Sequence, residues 1–344
     1  MIILRFKWGF ITIIMKLCIF DPAHNAPGLK ILFPESDYYA IEPCSFFTYT
    51  AINHMNNEDF YKLYNFRYET NINNINSNNY ETLFIILPFL DCIEGHAMTK
   101  DYGIRILKLI EYIIQINNFD KICLFDTYDY DYDPAIIYKN SKINYYFKRN
   151  FNKTKVYSPN VFPFPYMMFV TKCVLTLLLE DKNTFDTEKR KDEIFWCGTI
   201  FTHENKEFNV FRDRNDIYNK IKDNLITYNT LDNNTFLNTL QKYKIGLDLY
   251  GVGDPNKRTF ELLASDTLIF TNRINLDWGF ETNDAFSEET VFTNEIDFIE
   301  KYNLLKNREI YNKCLNNQRF LKQKYMNKEW MRNYIVSNIL NNHS

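Results

Sequence analysis

The stretch Ile245–Phe270, IGLDLYGVGDPNKRTFELLASDTLIF, leaves few folds open to this chain. Ile245, Leu247 and Leu249 alternate with Gly246, Asp248 and Tyr250, which is the period of a strand. The turn Gly251–Val252–Gly253 follows, and Asp254 and Pro255 have the residue types of an N-cap and a first helical position. Phe260, Leu262 and Leu263 give the helix an apolar face, and Thr267–Phe270 reads as a second apolar strand. Strand, tight turn, helix and strand in so short a span describe a βαβ unit, whose two strands run parallel in one sheet.

That unit also suggests a chemistry. A helix start beside flexible glycines presents unpaired backbone N–H groups to an anion. Lys257 and Arg258 add positive charge there, and Glu261 lies one turn on from Arg258 on the same face. Such a group suits a phosphate together with a hydroxyl-bearing sugar. The same residues equally fit a capped helix carrying an ordinary surface Arg/Glu pair.

The remainder of the chain repeats the alternation. Lys16–Phe20 reads as a strand, Asp21–Gly28 as a loop and Leu29–Phe33 as strand-like, while the polar run 71–79 precedes a buried strand over Thr82–Leu90. Ile104, Leu107, Ile110, Ile113 and Ile114 place a helix over Lys100–Asn117, and Lys121–Phe125 is the next strand. Val156–Phe169 has no clean period and reads as a linker, and the polar run Glu180–Asp192 as a surface loop. A second series follows: a strand Glu193–Cys197 ending in Gly198–Thr199, a helix Asp213–Asp223, a strand Leu225–Tyr228 and a helix Thr235–Tyr243. Helices over Asn294–Leu305, Arg308–Tyr325 and Glu329–Leu340 close the chain.

The expected fold is therefore α/β, with two Rossmann-like domains facing each other across a cleft and helices at the C-terminus. The expected limits are 1–155 for the first domain, 156–192 for the crossing and 193–325 for the second. The last helix, within 326–344, is expected to pack back on the first domain. Open α/β sheets bind ligands at the carboxyl ends of their strands. The Gly198–Thr199 loop and the turn Gly251–Arg258, with Gly253 at its tip, would share that edge of the second domain.

Composition narrows the function classes. A length of 344 residues suits two domains, and a formal net charge of −3 gives no electrostatic case for nucleic acid. The abundance of Asn, Ile, Lys and aromatic residues looks like the codon bias of an A/T-rich genome. Asn-rich patches and the sequons at Asn152 and Asn233 therefore carry little weight. Seven scattered cysteines without a C-x-x-C pair point to reduced, buried thiols, hence a cytoplasmic protein without a disulfide or zinc framework. Arg5, Lys7 and Lys16 interrupt the apolar N-terminus, so residues 1–14 are expected to be an upstream extension or extra strand rather than a membrane segment. G-x-S-x-G, Walker and H-E-x-x-H motifs are absent from the sequence, and the G-x-G at Gly251 lacks a third glycine. These absences argue against hydrolase, P-loop and zinc chemistry and against an NAD-dependent oxidoreductase.

Taken together, the second half resembles GT-B-type glycosyltransferases. The segment GVGDPNKRTFELLASDTLIF is similar to the donor-site signature of exostosin-like and CgeB-like members, with Asp266 standing where those enzymes have a small residue. The resemblance implies a nucleotide-sugar donor and a glycan or other hydroxyl acceptor as partners, with no divalent metal. By it, Arg258, helped by Lys257, would contact the donor diphosphate, Glu261 the ribose or sugar hydroxyls, and Gly198–Thr199 the phosphates.

Other residues offer further chemistry. An inverting transferase needs a base for the acceptor hydroxyl, and Asp91 and Glu94, with His96 close by, follow the strand TLFIILPFL, while His24 follows the first strand. Lys148 and Arg149 either reach a phosphate across the cleft or form a solvated strand end. The run Asp126 to Asp133, with Asp129 and Asp131 spaced by one residue, either binds a divalent cation in the manner of GT-A glycosyltransferases or caps the next helix through Asp133–Pro134. A non-catalytic α/β binding scaffold is the remaining alternative.

Overall fold

The structure, a computed structural model, describes residues 2–6, 9–13, 16–22, 28–41, 69–87, 97–126, 132–149, 151–152, 155–164, 187–198, 209–228, 231, 233–249, 257–272 and 286–341. The N-terminal strands β1 (Ile2–Phe6) and β2 (Gly9–Ile13) pair antiparallel with each other as a separate ribbon. Among the described residues no helix is long and apolar enough to cross a membrane.

Six strands follow: β3 (Leu17–Phe20), β4 (Asp37–Tyr39), β5 (Thr82–Leu87), β6 (Lys121–Asp126), β7 (Tyr145–Lys148) and β8 (Val161–Pro163). They form one wholly parallel sheet in the order β4-β3-β5-β6-β7-β8. Every residue of β5 is buried, as a central parallel strand covered on both faces requires. Its residues divide by parity. Leu83, Ile85 and Leu87 join Ile122 and Leu124 of β6 and pack with Ile106, Ile110, Ile113 and Ile114 of the helix Ala97–Ile116. On the other face, Phe84 meets Phe125 at 5.0 Å, Phe125 stacks on Phe147 at 4.8 Å, and Phe33 closes edge-on over Phe84 at 5.3 Å. Phe33, Phe84, Phe125 and Phe147 thus form one aromatic layer, which gains from such ring geometry as well as from burial.

Three expectations need correcting. Leu29–Phe33 is not a strand: Gly28–Leu32 is a short helix burying Leu29 and Leu32, and an apolar run this short has no period that separates the two. Val156–Phe169 is not simply a linker, because Val161–Pro163 adds β8 at the sheet edge, where a proline costs no ladder bond. The polar run before Asp192 is not simply a surface loop, because Arg190 is buried and β9 starts at Lys191.

The second sheet comprises β9 (Lys191–Cys197), β10 (Leu225–Tyr228), β11 (Tyr243–Asp248) and β12 (Leu268–Thr271), again all parallel, in the order β10-β9-β11-β12. Ile194, Ile245, Leu247, Leu268 and Phe270 share a core with Phe292 and with Phe298, Leu305 and Leu315 of the C-terminal helices Glu295–Leu305 and Arg308–Tyr325. Asn294 and Asn307 cap those two helices by accepting two backbone N–H groups each, a local use of asparagine. The chain forms two compact units, Met1–Phe169 with Lys328–Ser344, and Val170–Asn327. The last helix, Lys328–Asn341, belongs to the first unit. There Ile339 O accepts from Tyr145 Oη (3.1 Å), and Arg332 pairs with Glu35 (2.5 Å) and lies over Phe33.

Gly246 of β11 sets how close the helix Lys257–Ala264 approaches the second sheet. A Cβ built there would lie 2.2 Å from Cδ2 of Leu262, which is itself fully buried. Gly246→Ala is therefore expected to destabilise the protein by about 1–3 kcal/mol, as overpacking does. Gly246→Val should cost more. Urea denaturation of the variants checks this, and an unchanged midpoint for Gly246→Val would refute the close seat of the helix.

Candidate functional site

In the second sheet the chain leaves β9 to form β10 on one side and returns to form β11 on the other. Such a reversal opens a crevice beyond the carboxyl ends of the two central strands, the usual ligand position in open α/β sheets. A cavity of about 220 Å³ occupies that point. Trp196, Cys197 and Gly198 line it from the end of β9, and Leu247, Asp248 and Leu249 from the end of β11. Arg214 enters from the helix Asn209–Ile221, and Arg258 and Glu261 enter from the helix Lys257–Ala264.

Arg258 is held from several directions. Its Nη2 donates to the Cys197 carbonyl at 2.6 Å, its guanidinium carbon lies 4.3 Å from the centre of the Phe236 ring, and Nη1 is 3.7 Å from Glu261 Oε2. Glu261 is almost wholly buried, whereas the Arg258 side chain is 23% exposed and so remains open to a ligand. Arg214 donates from Nη2 to the Leu249 carbonyl at 3.2 Å. Asp248, buried at the end of β11, accepts from the Thr259 hydroxyl at 2.7 Å and so ties the start of the helix to the strand. Burial pushes the Cys197 thiol above its usual range, although the neighbouring Arg258 pulls the other way, so the pocket presents a thiol rather than a thiolate. Two arginines and a buried glutamate at one crevice can bind an oxyanion and accept from hydroxyls.

The far end of the same helix is anchored by charge. Thr267 N–H donates to Leu262 O and Asp266 N–H to Leu263 O, the two reverse bonds of a Schellman cap. Asp266 takes the left-handed position of that cap, with φ of 52°, where glycine is usual. Its carboxylate is buried between Arg319 Nε (3.0 Å) and Lys322 Nζ (2.8 Å) of the helix Arg308–Tyr325. Arg190 donates to the carbonyls of Ser265 (2.9 Å) and Asp266 (3.1 Å) and to the Thr267 hydroxyl (3.1 Å). The departure at Asp266 from the resembled signature is thus a structural ion cluster.

Of the residues singled out in the sequence, Arg258, Glu261 and Gly198 come together in this pocket. Gly198 N–H donates to Tyr228 O at 3.3 Å and so extends the β9–β10 ladder. A Cβ on Gly198 would lie 3.0 Å from the Trp196 ring, so the glycine contributes room. Lys257 opens the helix, but its side chain, like Thr199 and Gly253, lies outside the described residues. His24, Asp91, Glu94, Asp129 and Asp131 also lie outside them. Asp133 caps the helix Pro134–Ile137 by accepting from Ala135 N–H, and it also accepts from Ser158. Lys148 is not a solvated strand end. It is fully buried, pairs with the equally buried Asp126 at 2.8 Å, and sits over the Tyr132 ring at 4.1 Å, while Tyr132 Oη donates to Asp126 at 3.0 Å. Arg149 is half-buried at the end of the same strand, where its N–H donates to Asp126 O. Sequence reasoning missed Arg214, Asp248 and Phe236. Asp248 carried a readable signal, being polar at the end of an apolar strand, whereas the other two come from helices that only the fold brings here.

No protein family and no curated protein sequence matches this chain. Solved structures do match it. An alpha-glucosyltransferase in complex with UDP-glucose and DNA containing an abasic site is 12% identical, with a TM-score of 0.50 over 94% of this chain and 99% of that one. T4 phage BGT in complex with its UDP-glucose substrate is 11% identical, with a TM-score of 0.50 over 95% and 100%. Anabaena Alr3699/HepE in complex with UDP is 5% identical, with a TM-score of 0.50 over 94% and 99%. At these identities the likeness establishes the fold, which is GT-B: two parallel α/β sheets of six and four strands with C-terminal helices. It gives no support to the narrower exostosin-like or CgeB-like assignment. A fold with a separate second parallel sheet also departs from the plan behind the GT-A alternative.

Two outcomes test this geometry. Asp266→Ala is expected to lose about 2–4 kcal/mol, since it strands two cations and keeps an unfavourable backbone conformation, and Asp266→Gly should recover about 1 kcal/mol of that. Chemical denaturation of the pair measures both, and equal stability of the two variants would contradict the left-handed cap. Lys148→Met should cost about 3–5 kcal/mol by burying Asp126 without its cation, and adding Asp126→Asn should restore part of the loss. Additive losses across that double-mutant cycle would contradict the ion pair.

Proposed function

We propose that this chain is a glycosyltransferase that takes its sugar from a nucleotide-sugar donor bound at the β9–β11 crevice. The observation that carries the reading is the convergence of Arg258, Arg214 and buried Glu261 on a cavity at the switch point of a parallel sheet. Structures of the same fold that hold UDP-glucose or UDP support it. In this reading Arg258 and Arg214 bind the donor diphosphate, with Lys257 and the backbone around Gly253 and Thr199 at the same sheet edge. Glu261 accepts hydrogen bonds from ribose or sugar hydroxyls.

Transfer breaks the bond between the anomeric carbon and the diphosphate oxygen and joins that carbon to an acceptor oxygen. Negative charge grows on the departing nucleoside diphosphate, and prearranged guanidinium groups stabilise it where it forms. The reading assigns to arginines the charge that a divalent cation supplies in metal-dependent transferases. The acceptor proton needs a base, and Asp91, Glu94 and His24 are the proposed candidates. They follow β5 and β3, which are neighbours in the first sheet. The acceptor is a hydroxyl compound, in keeping with a chain whose charge does not favour nucleic acid.

Calorimetric titration with UDP and UDP-glucose tests the reading. The native protein should bind both, and Arg258→Ala should weaken binding by about 10- to 100-fold, the worth of a charge-assisted phosphate contact, while its circular dichroism stays native. Undiminished UDP affinity in that variant would remove the central claim. Release of UDP from UDP-glucose, dependent on an added hydroxyl acceptor, separates a transferase from a binding scaffold.

A further inference from the structure

We infer that Phe236 is a positioning residue for the donor site: it fixes the plane of the Arg258 guanidinium before any ligand arrives. The inference rests on the donor-site reading for its purpose, and on geometry for its substance.

Phe236 sits on the helix Asn233–Leu240, which joins β10 to β11, and it is only 5% exposed. Its ring touches both the sheet and the arginine. The Phe195 ring of β9 lies 5.8 Å from it, and the guanidinium carbon of Arg258 lies 4.3 Å from the ring centre. Phe195 is itself stacked on Tyr243 of β11 at 5.4 Å, so the ring is backed by the two central strands. A guanidinium attracted to an aromatic ring, with one nitrogen on the Cys197 carbonyl, keeps few of its rotamers.

The consequence is energetic. A long, free arginine loses rotamer freedom when it closes on a phosphate, and that loss weakens binding. An arginine already fixed by a ring and a carbonyl loses little more. Phe236 thus acts on ligand affinity through Arg258 alone, without touching the ligand. An aliphatic residue of similar bulk would fill the space and leave the guanidinium unheld. Tyrosine would keep the ring.

The effect can be read with and without nucleotide. In selectively labelled protein, the guanidinium Nε–H signal of Arg258 is identified by its loss in Arg258→Gln. It should be shifted upfield by the ring in the native protein and move to the ordinary arginine position in Phe236→Leu. For UDP binding, Phe236→Leu should raise Kd by about three- to tenfold, Phe236→Tyr should leave it near native, and Phe236→Leu should change little in the Arg258→Gln background. An unshifted Arg258 signal in the native protein overturns the inference, as does an equal Phe236→Leu penalty in both backgrounds. Absence of UDP binding by the native protein would instead defeat the donor reading, while the guanidinium signal would still decide whether Phe236 holds Arg258.

Discussion

The close seat of the helix Lys257–Ala264 on β11 is the constraint on which the rest of the second unit depends. It exists because Gly246 presents no side chain to Leu262, which occupies the space a Cβ would need. From that one approach the remaining contacts follow. The first turn is near enough for Thr259 to reach Asp248, and Arg258 is near enough to reach the carbonyl that ends β9. A larger residue at 246 would have to displace the buried Leu262 side chain that packs the helix on the strand. The packing of an apolar face and the placement of a polar site are therefore one requirement.

The two ends of this helix use charge differently. At the C-terminal end, Asp266 is enclosed by Arg319 and Lys322, and Arg190 takes the last carbonyls. Cations near the negative end of a helix dipole are favourable, and their buried carboxylate partner neutralises part of their charge. At the N-terminal end, Arg258 and Arg214 face a cavity that the buried acids Glu261 and Asp248 also line. The first end is closed and structural. The second retains space and a partly exposed guanidinium, which a ligand can reach.

Much of this architecture was legible before the structure. Alternation of strand and helix gave both parallel sheets, because buried strands such as Thr82–Leu87 and βαβ spacings are carried by local composition. Arg258 and Glu261 were legible for the same reason, since one turn of helix fixes their relation. The failures share a cause as well. Leu29–Phe33 and Val161–Pro163 are too short to express a period, so tertiary contacts decide their conformation. Lys148 looked like a solvated cation because nothing local reveals that Asp126, one strand away, lies opposite it in register. Arg214 and Phe236 were invisible for a related reason: their helices converge on the pocket only through the strand order.

That strand order carries a final argument. Counted from the first strand of each sheet, both place their strands 2-1-3-4, with two more strands added to the first sheet beyond its fourth. Each sheet therefore has a reversal between its first and third strands, at β3/β5 in one and β9/β11 in the other. In the second sheet the reversal gathers the guanidinium groups of Arg214 and Arg258 with the buried carboxyl groups of Asp248 and Glu261. In the first, the segments that leave the corresponding strand ends carry His24 after β3 and Asp91 and Glu94 after β5, residue types suited to taking a proton. The two sheets thus share one strand order while the chain carries different residue types after the corresponding strands.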